Sequence, residues 1–426
     1  MNILILYDAT QTYTNTVFEH IACFGKYSKN KVFFSHQDQT TELNVDLSRF
    51  DVVAIHYSIR ICFDQISPST ANALSEFKGL KLLFIQDEYN HTKRAWYWIN
   101  TLGIQLVFTV VPEAWVERIY PVREFPNTRF VSNLTGYVPD DLRLNLDVKP
   151  PSQRPLIVGY RGRPLPIYYG QLGMDKIAIG KLVKTYCDAH SVKNDIAWSE
   201  EARIYGPSWY KFMVSCRSML GSESGSNVFD WDGTLVNRIA KFRNQNSKVG
   251  DAEIYEKFIR IEEIDGIMNQ VSPRVFEAIA ARTVLVLFEG DYSGVVKAGI
   301  HFISVKKDGS NLVETMRLLQ DESYVDAMAD RAYQDVITSG KYSYQSFVRL
   351  VDEEISISLG ALVPQKSNVA ACRADMEKPI SITTSPIRSV LPPGLAMRIS
   401  IYVWSWLPEN VRRLLIPVLK RHIKKY

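Results

Sequence analysis

Cysteine is scarce in this chain. Its five residues, Cys23, Cys62, Cys187, Cys216 and Cys372, show no paired spacing, which excludes a disulfide framework and a cysteine zinc site. Long apolar runs are missing too: no stretch approaches the roughly 20 residues that cross a bilayer. The first residues enter a core strand with no charged, apolar and cleavage segments of an export signal ahead of it, so a cytoplasmic protein is expected. The net charge of +4 over 426 residues is mild and gives no reason to expect nucleic acid as a partner. No repeat of solenoid period is visible. The length suits two domains of about 150 to 200 residues each.

What is present is a series of short buried strands, each followed by a polar loop and a helix. Residues 2–7, 51–55, 80–85 and 106–110 read as strands of a parallel sheet. They end in Asp8 and a hydroxyl-rich loop, in His56-Tyr-Ser-Ile-Arg60, in Gln86-Asp-Glu-Tyr89 and near Glu113. Ligands of open α/β sheets bind beyond the carboxyl ends of strands. His56, Asp87 and Glu88 are therefore expected on one cleft wall, as candidate catalytic groups. A structural hydrogen-bonding role for His56, and helix capping by Asp87 and Glu88, fit the same positions. A polar, proline-bearing stretch over 138–155 reads as an interdomain linker. This divides the chain into domains at 1–150 and 151–360, then a linker at 361–393 and a tail at 394–426.

The second domain opens with a strand at 156–159 and then Tyr160-Arg161-Gly162-Arg163. Glycine lets a backbone come close to a phosphate, and guanidinium groups bind its oxygens in pairs, so Arg161, Gly162 and Arg163 form a candidate phosphate clamp. The Gly-x-Gly-x-x-Gly pattern is absent here, which disfavours NAD. Residues 174–189 read as an amphipathic helix. Farther on, Glu223, Ser224 and Gly225 lie in a loop rich in N–H and hydroxyl groups. The organising stretch is Ser272-Pro-Arg-Val-Phe-Glu-Ala-Ile-Ala-Ala-Arg282, followed by a β-branched run to Phe288. Ser272 is a good N-cap and Pro273 suits the first helical position. A helix start carrying Arg274 beside a buried sheet suits a diphosphate, and Glu277, three residues on, suits ribose hydroxyls. An Arg274–Glu277 pair on a helix face is the plainer reading.

Arg274-Val-Phe-Glu277-Ala-Ile-Ala280, with the strand and the Glu289-Gly290-Asp291-Tyr292-Ser293-Gly294 that follow, resembles the donor segment of group-1, family-4-like GT-B glycosyltransferases, in particular bacterial surface-polysaccharide enzymes. The resemblance implies two Rossmann-like domains facing across a cleft, acceptor in the first and nucleotide sugar in the second. It implies that Glu277 holds the ribose and that Arg161 or Arg163 touches the donor phosphates. Two positions depart from the pattern: Asn269 stands where the family has a first Glu, and Arg282 where it has a small residue. Glu223 is taken as the counterpart of that first Glu, displaced by an insertion over about 234–270.

Asp230-Trp-Asp232 matches the Asp-x-Asp metal motif of single-domain glycosyltransferases. In a two-domain chain the expectation is instead that these aspartates bond backbone or sugar hydroxyls, with no metal or other cofactor required. The tail at 394–426 interleaves Trp404, Trp406 and aliphatic residues with Arg398, Arg412, Arg413, Lys420, Arg421, Lys424 and Lys425. Two prolines interrupt it, Pro408 and Pro417. It suits an anionic membrane surface, which would make the protein peripheral on the inner face of the cell membrane. Docking on the protein's own core fits the same pattern. The resulting expectation is a metal-independent hexosyltransferase that moves a sugar from a nucleotide sugar to a glycan or lipid-linked hydroxyl. A nucleotide-sugar epimerase of the same fold and a non-catalytic membrane-surface binding protein are the alternatives.

Overall fold

The structure, a computed structural model, describes residues 1–12, 14–140, 148–204, 206–361 and the backbone of 382–383. The expected basic membrane-surface tail at 394–426 and most of the 361–393 linker lie outside the described residues.

Two sheets organise the chain. The first has the order β12-β2-β1-β3-β4-β5-β6, built from β1 (Asn2–Tyr7), β2 (Lys31–His36), β3 (Val52–Ile55), β4 (Leu80–Ile85), β5 (Leu106–Thr109), β6 (Arg129–Ser132) and a two-residue edge, β12 (Ile382–Thr383). All of its pairings are parallel except that of β12. The second sheet is wholly parallel in the order β11-β10-β9-β7-β8. Its strands are β7 (Leu156–Arg161), β8 (Asn194–Ala197), β9 (Cys216–Gly221), β10 (Val284–Phe288) and β11 (Phe302–Val305). The inner strands β1, β3, β4, β5 and β10 are buried along almost their whole length, as parallel strands covered by helices on both faces must be.

The covering helices are α1 (Asn15–Tyr27), α2 (Pro68–Glu76), α3 (Thr92–Leu102) and α4 (Glu113–Ile119) in the first half. In the second they are α5 (Gly170–Ala189), α6 (Pro207–Ser215), α7 (Thr234–Gln245), α8 (Asp251–Ile254), α9 (Pro273–Ala280), α10 (Leu312–Gln320) and α11 (Glu322–Ala332). The last, α12 (Tyr344–Ala361), returns to the first domain. Its Tyr344, Phe347, Val348, Val351 and Ile355 pack into the first core. Arg129 holds Glu354 through two bonds of 2.6 and 3.0 Å, and Asp352 accepts from Ser28, the Lys29 N–H and Asn30. The first core thus draws on chain well beyond residue 150.

The stretch from Phe229 to Met268, which includes most of the segment expected as an insertion, makes a second bridge. Phe229, Ile267 and Met268 are buried in the first domain's core. The backbones of Tyr89 and His91 exchange hydrogen bonds of 2.8 Å with Asp230, and Trp231 packs edge-on against Trp96. Ile267 and Met268 thus anchor the end of the insertion in the first domain.

Candidate active site between the two sheets

The N-terminus of α9 forms as its sequence dictates. Ser272 caps the helix through a bond from the Arg274 N–H, and Pro273 occupies the first turn. This end opens on a cavity of about 270 Å³ above the carboxyl ends of β7, β9 and β10. Arg163, Ser272 and Arg274 line it, together with Lys176 from α5, Ser222 after β9 and Trp209 from α6. Three cations converge there, and among the described residues no carboxylate lines the cavity.

Each cation is held differently. Arg274 lies over the Trp209 ring at 5.1 Å and donates to the Arg161 carbonyl at 2.5 Å. Lys176 donates to Ser224 Oγ at 2.9 Å and to the Glu223 carbonyl at 3.3 Å. Burial, reinforced by Arg274, pulls its pKa down to about 8. Arg163 is exposed at the cavity mouth. Glu277 lies one turn beyond Arg274, and its Oε2 accepts the Trp209 indole N–H at 2.8 Å. Burial raises the Glu277 pKa, opposed by that bond and by Arg274.

Three expected donor residues have other work. The Arg161 guanidinium is spent on the Ala202, Tyr160 and Asp195 carbonyls and the Asp195 carboxylate, and stacks on Phe212 at 4.2 Å. It points away from the cavity because β7 alternates its faces; only its carbonyl serves the site. A Cβ at Gly162 would come within 3.2 Å of the Lys176 carbonyl, so this glycine permits strand–helix contact and need not admit a phosphate. Gly225, at φ 108°, presses on the Met268 carbonyl.

Glu223 is buried behind the cavity wall. It accepts the backbone N–H groups of Asp291 and Tyr292 at 3.1 and 2.8 Å, and Asn269 Nδ2 at 2.6 Å. Glu223 and Asn269, far apart in sequence, therefore meet. Ser224 supports Lys176 from behind.

In the first domain, the three expected catalytic groups separate. His56 is fully buried, with Nδ1 2.9 Å from Ser58 and Nε2 3.0 Å from His20. Burial and the neighbouring His20 hold its pKa well below the usual histidine range. Glu88 is also fully buried, accepts from Thr109, and has its pKa pushed up to about 8 by burial. Neither can reach a substrate, because alternation along the strand and turn sends both side chains into the core. Asp87 alone is open to the cleft, half exposed, in a left-handed turn (φ 58°) that aspartate tolerates. Tyr89 donates to it at 2.6 Å, and Arg60 lies at 3.9 Å. The loop from Arg163 to Tyr169 joins it to the cavity: Arg163 and Leu165 line the cavity, while Tyr169 packs on Tyr89 at 5.6 Å.

Asp230 and Asp232 cap α7. Asp230 accepts the N–H groups of Leu235 and Val236, and Asp232 accepts the backbone N–H and the hydroxyl O–H of Thr234. Among the described residues, no group of three or more His, Cys, Asp or Glu side chains is arranged to hold a metal ion.

Sequence reasoning passed over Lys176 and Trp209. A signal for the lysine existed: Leu172, Lys176, Ile179, Val183 and Cys187 share one face of α5, and a lone ammonium on an apolar helix face needs a reason to be there.

Two α/β domains with parallel sheets, facing across a cleft, are the GT-B glycosyltransferase fold. An alpha-glucosyltransferase solved with UDP and a 13-mer DNA containing an HMU base superposes with a TM-score of 0.51 at 10% identity, over 83% of this chain and 99% of that one. HepE from Anabaena with UDP-glucose gives 0.46 at 11% identity, covering 85% and 100%. Sucrose-phosphate synthase from Thermosynechococcus elongatus gives 0.41 at 11%, with the same coverage. No family model and no curated protein matches the sequence.

Proposed function

We propose that this protein transfers a sugar from a nucleoside diphosphate sugar to a hydroxyl group. The observation that carries the reading is the meeting of Arg163, Lys176 and Arg274 on one cavity without an acidic lining, at the start of a capped helix. Such a place favours a diphosphate, by charge and by the free N–H groups of the helix end. The ribose would lie one turn farther along α9, with its hydroxyls accepted by Glu277, which lies outside the cavity lining and is held by Trp209.

The chemistry needed is support of negative charge on the departing diphosphate. Fixed cations in a partly dry cavity supply it without reorganisation. We infer that no metal is needed, since three cations already face the leaving group. If transfer inverts the anomeric centre, Asp87 is the group placed to take the acceptor proton, being the carboxylate that reaches the cleft while Glu88 does not. A retaining transfer would not need it.

A hexose donor and an acceptor on a growing bacterial surface glycan or its lipid carrier follow from the sequence resemblance. The basic, tryptophan-bearing segment 394–426 would keep the enzyme at an anionic membrane where such carriers lie. Flotation of the full chain with anionic liposomes, lost on truncation near Pro393, is the expected result; equal flotation of both would end that part of the reading.

The main test is binding of UDP, GDP, TDP and CMP sugars followed by thermal melting, then product analysis with and without EDTA. UDP compounds come first, because the alpha-glucosyltransferase that shares the fold is solved with UDP. Stabilisation by one nucleotide class, with transfer that survives EDTA, is expected. Interconversion of free nucleotide sugars without transfer would indicate an epimerase instead.

A further inference from the structure

One side chain separates the cation-lined cavity from the carboxylate assigned to the ribose. Arg274, Val275 and Ala278 turn a face of α9 to the cavity, while Glu277, one turn from Arg274, borders that face without lining the space. Trp209 does line it. Its indole N–H donates to Glu277 Oε2 at 2.8 Å, so the ring stands between the cavity and the carboxylate. The same ring lies 5.1 Å from the Arg274 guanidinium, and Arg274 is tied further to the Arg161 carbonyl. A single buried side chain thus engages both groups of α9 that a nucleoside diphosphate needs, the cation for its phosphates and the carboxylate for its sugar.

These contacts resemble those a ligand would make. Glu277 takes an N–H where it would take a hydroxyl, and is spared an uncompensated charge in a half-buried place. Arg274 takes an aromatic face. An incoming molecule therefore meets a carboxylate that is already engaged, and displaces the indole only by bringing more than it does. Trp209 Nε1 supplies one donor. The 2′,3′-diol of a ribose supplies two, and a carboxylate has lone pairs to accept both. A 2′-deoxyribose supplies one and only matches the indole. A diphosphate without a sugar supplies none.

The indole is placed where it can leave. It belongs to the first turn of α6, whose cap, Gly206, has φ 60° and open space where a side chain would sit. Pro207 and Ser208, between that glycine and Trp209, are exposed. Farther along the helix, Phe212 and Met213 are fixed in the core of the second domain. Only the ring and the turn that carries it need to move.

We propose that Trp209 is a latch that decides which diphosphates the site takes: it occupies Glu277 and Arg274 in the empty protein and yields both to a ribonucleoside diphosphate, whose diol and phosphates together replace the two contacts. Deoxyribonucleotide donors such as TDP sugars are thereby disfavoured. This rests on the nucleotide-sugar reading of the cavity and adds to it a specificity-determining residue and the class of nucleotide.

The test titrates UDP, 2′-deoxy-UDP and inorganic pyrophosphate into the full-length wild type and W209F by calorimetry. The wild type should hold UDP about 10- to 100-fold more tightly than 2′-deoxy-UDP, the value of a hydroxyl given to a charged acceptor. W209F keeps an aromatic face for Arg274 but has no N–H for Glu277, so it should tighten UDP by about ten-fold and leave pyrophosphate unchanged. That gain should be absent when W209F is placed in an E277Q background. Wild-type protein carrying 5-fluorotryptophan gives a reading that does not depend on how the variants fold. Trp209 is the tryptophan that lines the cavity, and UDP should move a fluorine resonance that pyrophosphate leaves in place. Unchanged or weaker UDP binding by a W209F that melts normally, equal wild-type affinity for UDP and 2′-deoxy-UDP, or a fluorine spectrum that UDP does not alter would overturn the latch. Pyrophosphate binding alongside any of these results would leave the cation-lined cavity standing, whereas binding of neither UDP nor pyrophosphate would refute the donor reading and the latch together.

Discussion

Replacing Lys176 by methionine separates binding from folding in one experiment. The ammonium is held in a partly dry site beside Arg274, and the fall of its pKa from 10.5 to about 8 corresponds to about 3 kcal/mol set against its charged form. Methionine has nearly the same shape and no charge to desolvate. The change gives up bonds to Ser224 and the Glu223 carbonyl, each worth about 1 kcal/mol. The variant should therefore melt at the same temperature or higher. Its affinity for UDP should fall by about 10- to 100-fold, the value of a charge-assisted bond to phosphate. The pH dependence follows with a definite sign. Below about pH 8 the free lysine is already charged and affinity is full; above it, binding must draw a proton onto Lys176. Wild-type affinity should then decline by up to about ten-fold per pH unit until the pKa of the complex is reached. Titration calorimetry across pH 7 to 10, in buffers of different ionisation heat, reads both the decline and the proton uptake, and Lys176→Met should lose both. An unchanged UDP affinity in the variant would refute the reasoning, as would a loss of affinity accompanied by a collapse in melting temperature.

The arginine that ends β7 and the one just beyond it should part company: Arg161→Ala should lower stability by about 2 to 3 kcal/mol and leave UDP affinity alone, while Arg163→Ala should weaken UDP about ten-fold with no change in melting temperature. Glu88→Gln should keep activity within a few-fold, because that carboxyl never meets substrate. Burial raises the Glu88 pKa from 4.5 to about 8, so its contribution to stability is full below about pH 4.5 and is lost as pH rises toward 8, by at most about 1.4 kcal/mol per unit. Denaturant midpoints measured over that range should show a slope in the wild type that Glu88→Gln lacks. Asp87→Asn should cut an inverting transfer by about 100- to 10,000-fold without altering UDP affinity; unchanged turnover would remove Asp87 from the mechanism.

The architecture was legible where burial leaves a plain mark. Strands β1, β3, β4, β5, β10 and β11, and the capped start of α9, announce themselves as apolar runs bounded by turns or by a serine–proline pair. Strand β9 does not, although it is central to the second sheet. Its Arg217 and Ser218 look polar in sequence, but in the fold Arg217 donates to the Leu319 carbonyl and Ser218 to the Ile157 carbonyl. Partners supplied by distant chain cannot be read from a local window. Strands β6 and β8 lie at or next to sheet edges and are short and half-exposed, so alternation gives little signal.

The same division holds for the site. Arg274 and Ser272 could be brought together at the cavity because one short helix and its cap carry both. Arg161 ends β7 and its guanidinium is taken up by the Ala202 carbonyl and Asp195, whereas Arg163 lies in the loop beyond, whose path brings it to the cavity and cannot be read from the residue types. His56, Glu88 and Asp87 share strand-end positions in sequence, yet only Asp87 leaves the core. Its left-handed turn reverses the side-chain direction between neighbours, and nothing in the residue types reveals such a turn. The Glu223–Asn269 contact required the bridge between Ser224 and Gln270 to be known.

The most direct measurement is a crystal structure of the full chain with UDP or a UDP sugar bound. The account predicts the diphosphate among Arg163, Lys176 and Arg274 at the start of α9, with a ribose hydroxyl on Glu277. A nucleotide seated elsewhere, or an empty cavity at saturating UDP, would contradict it.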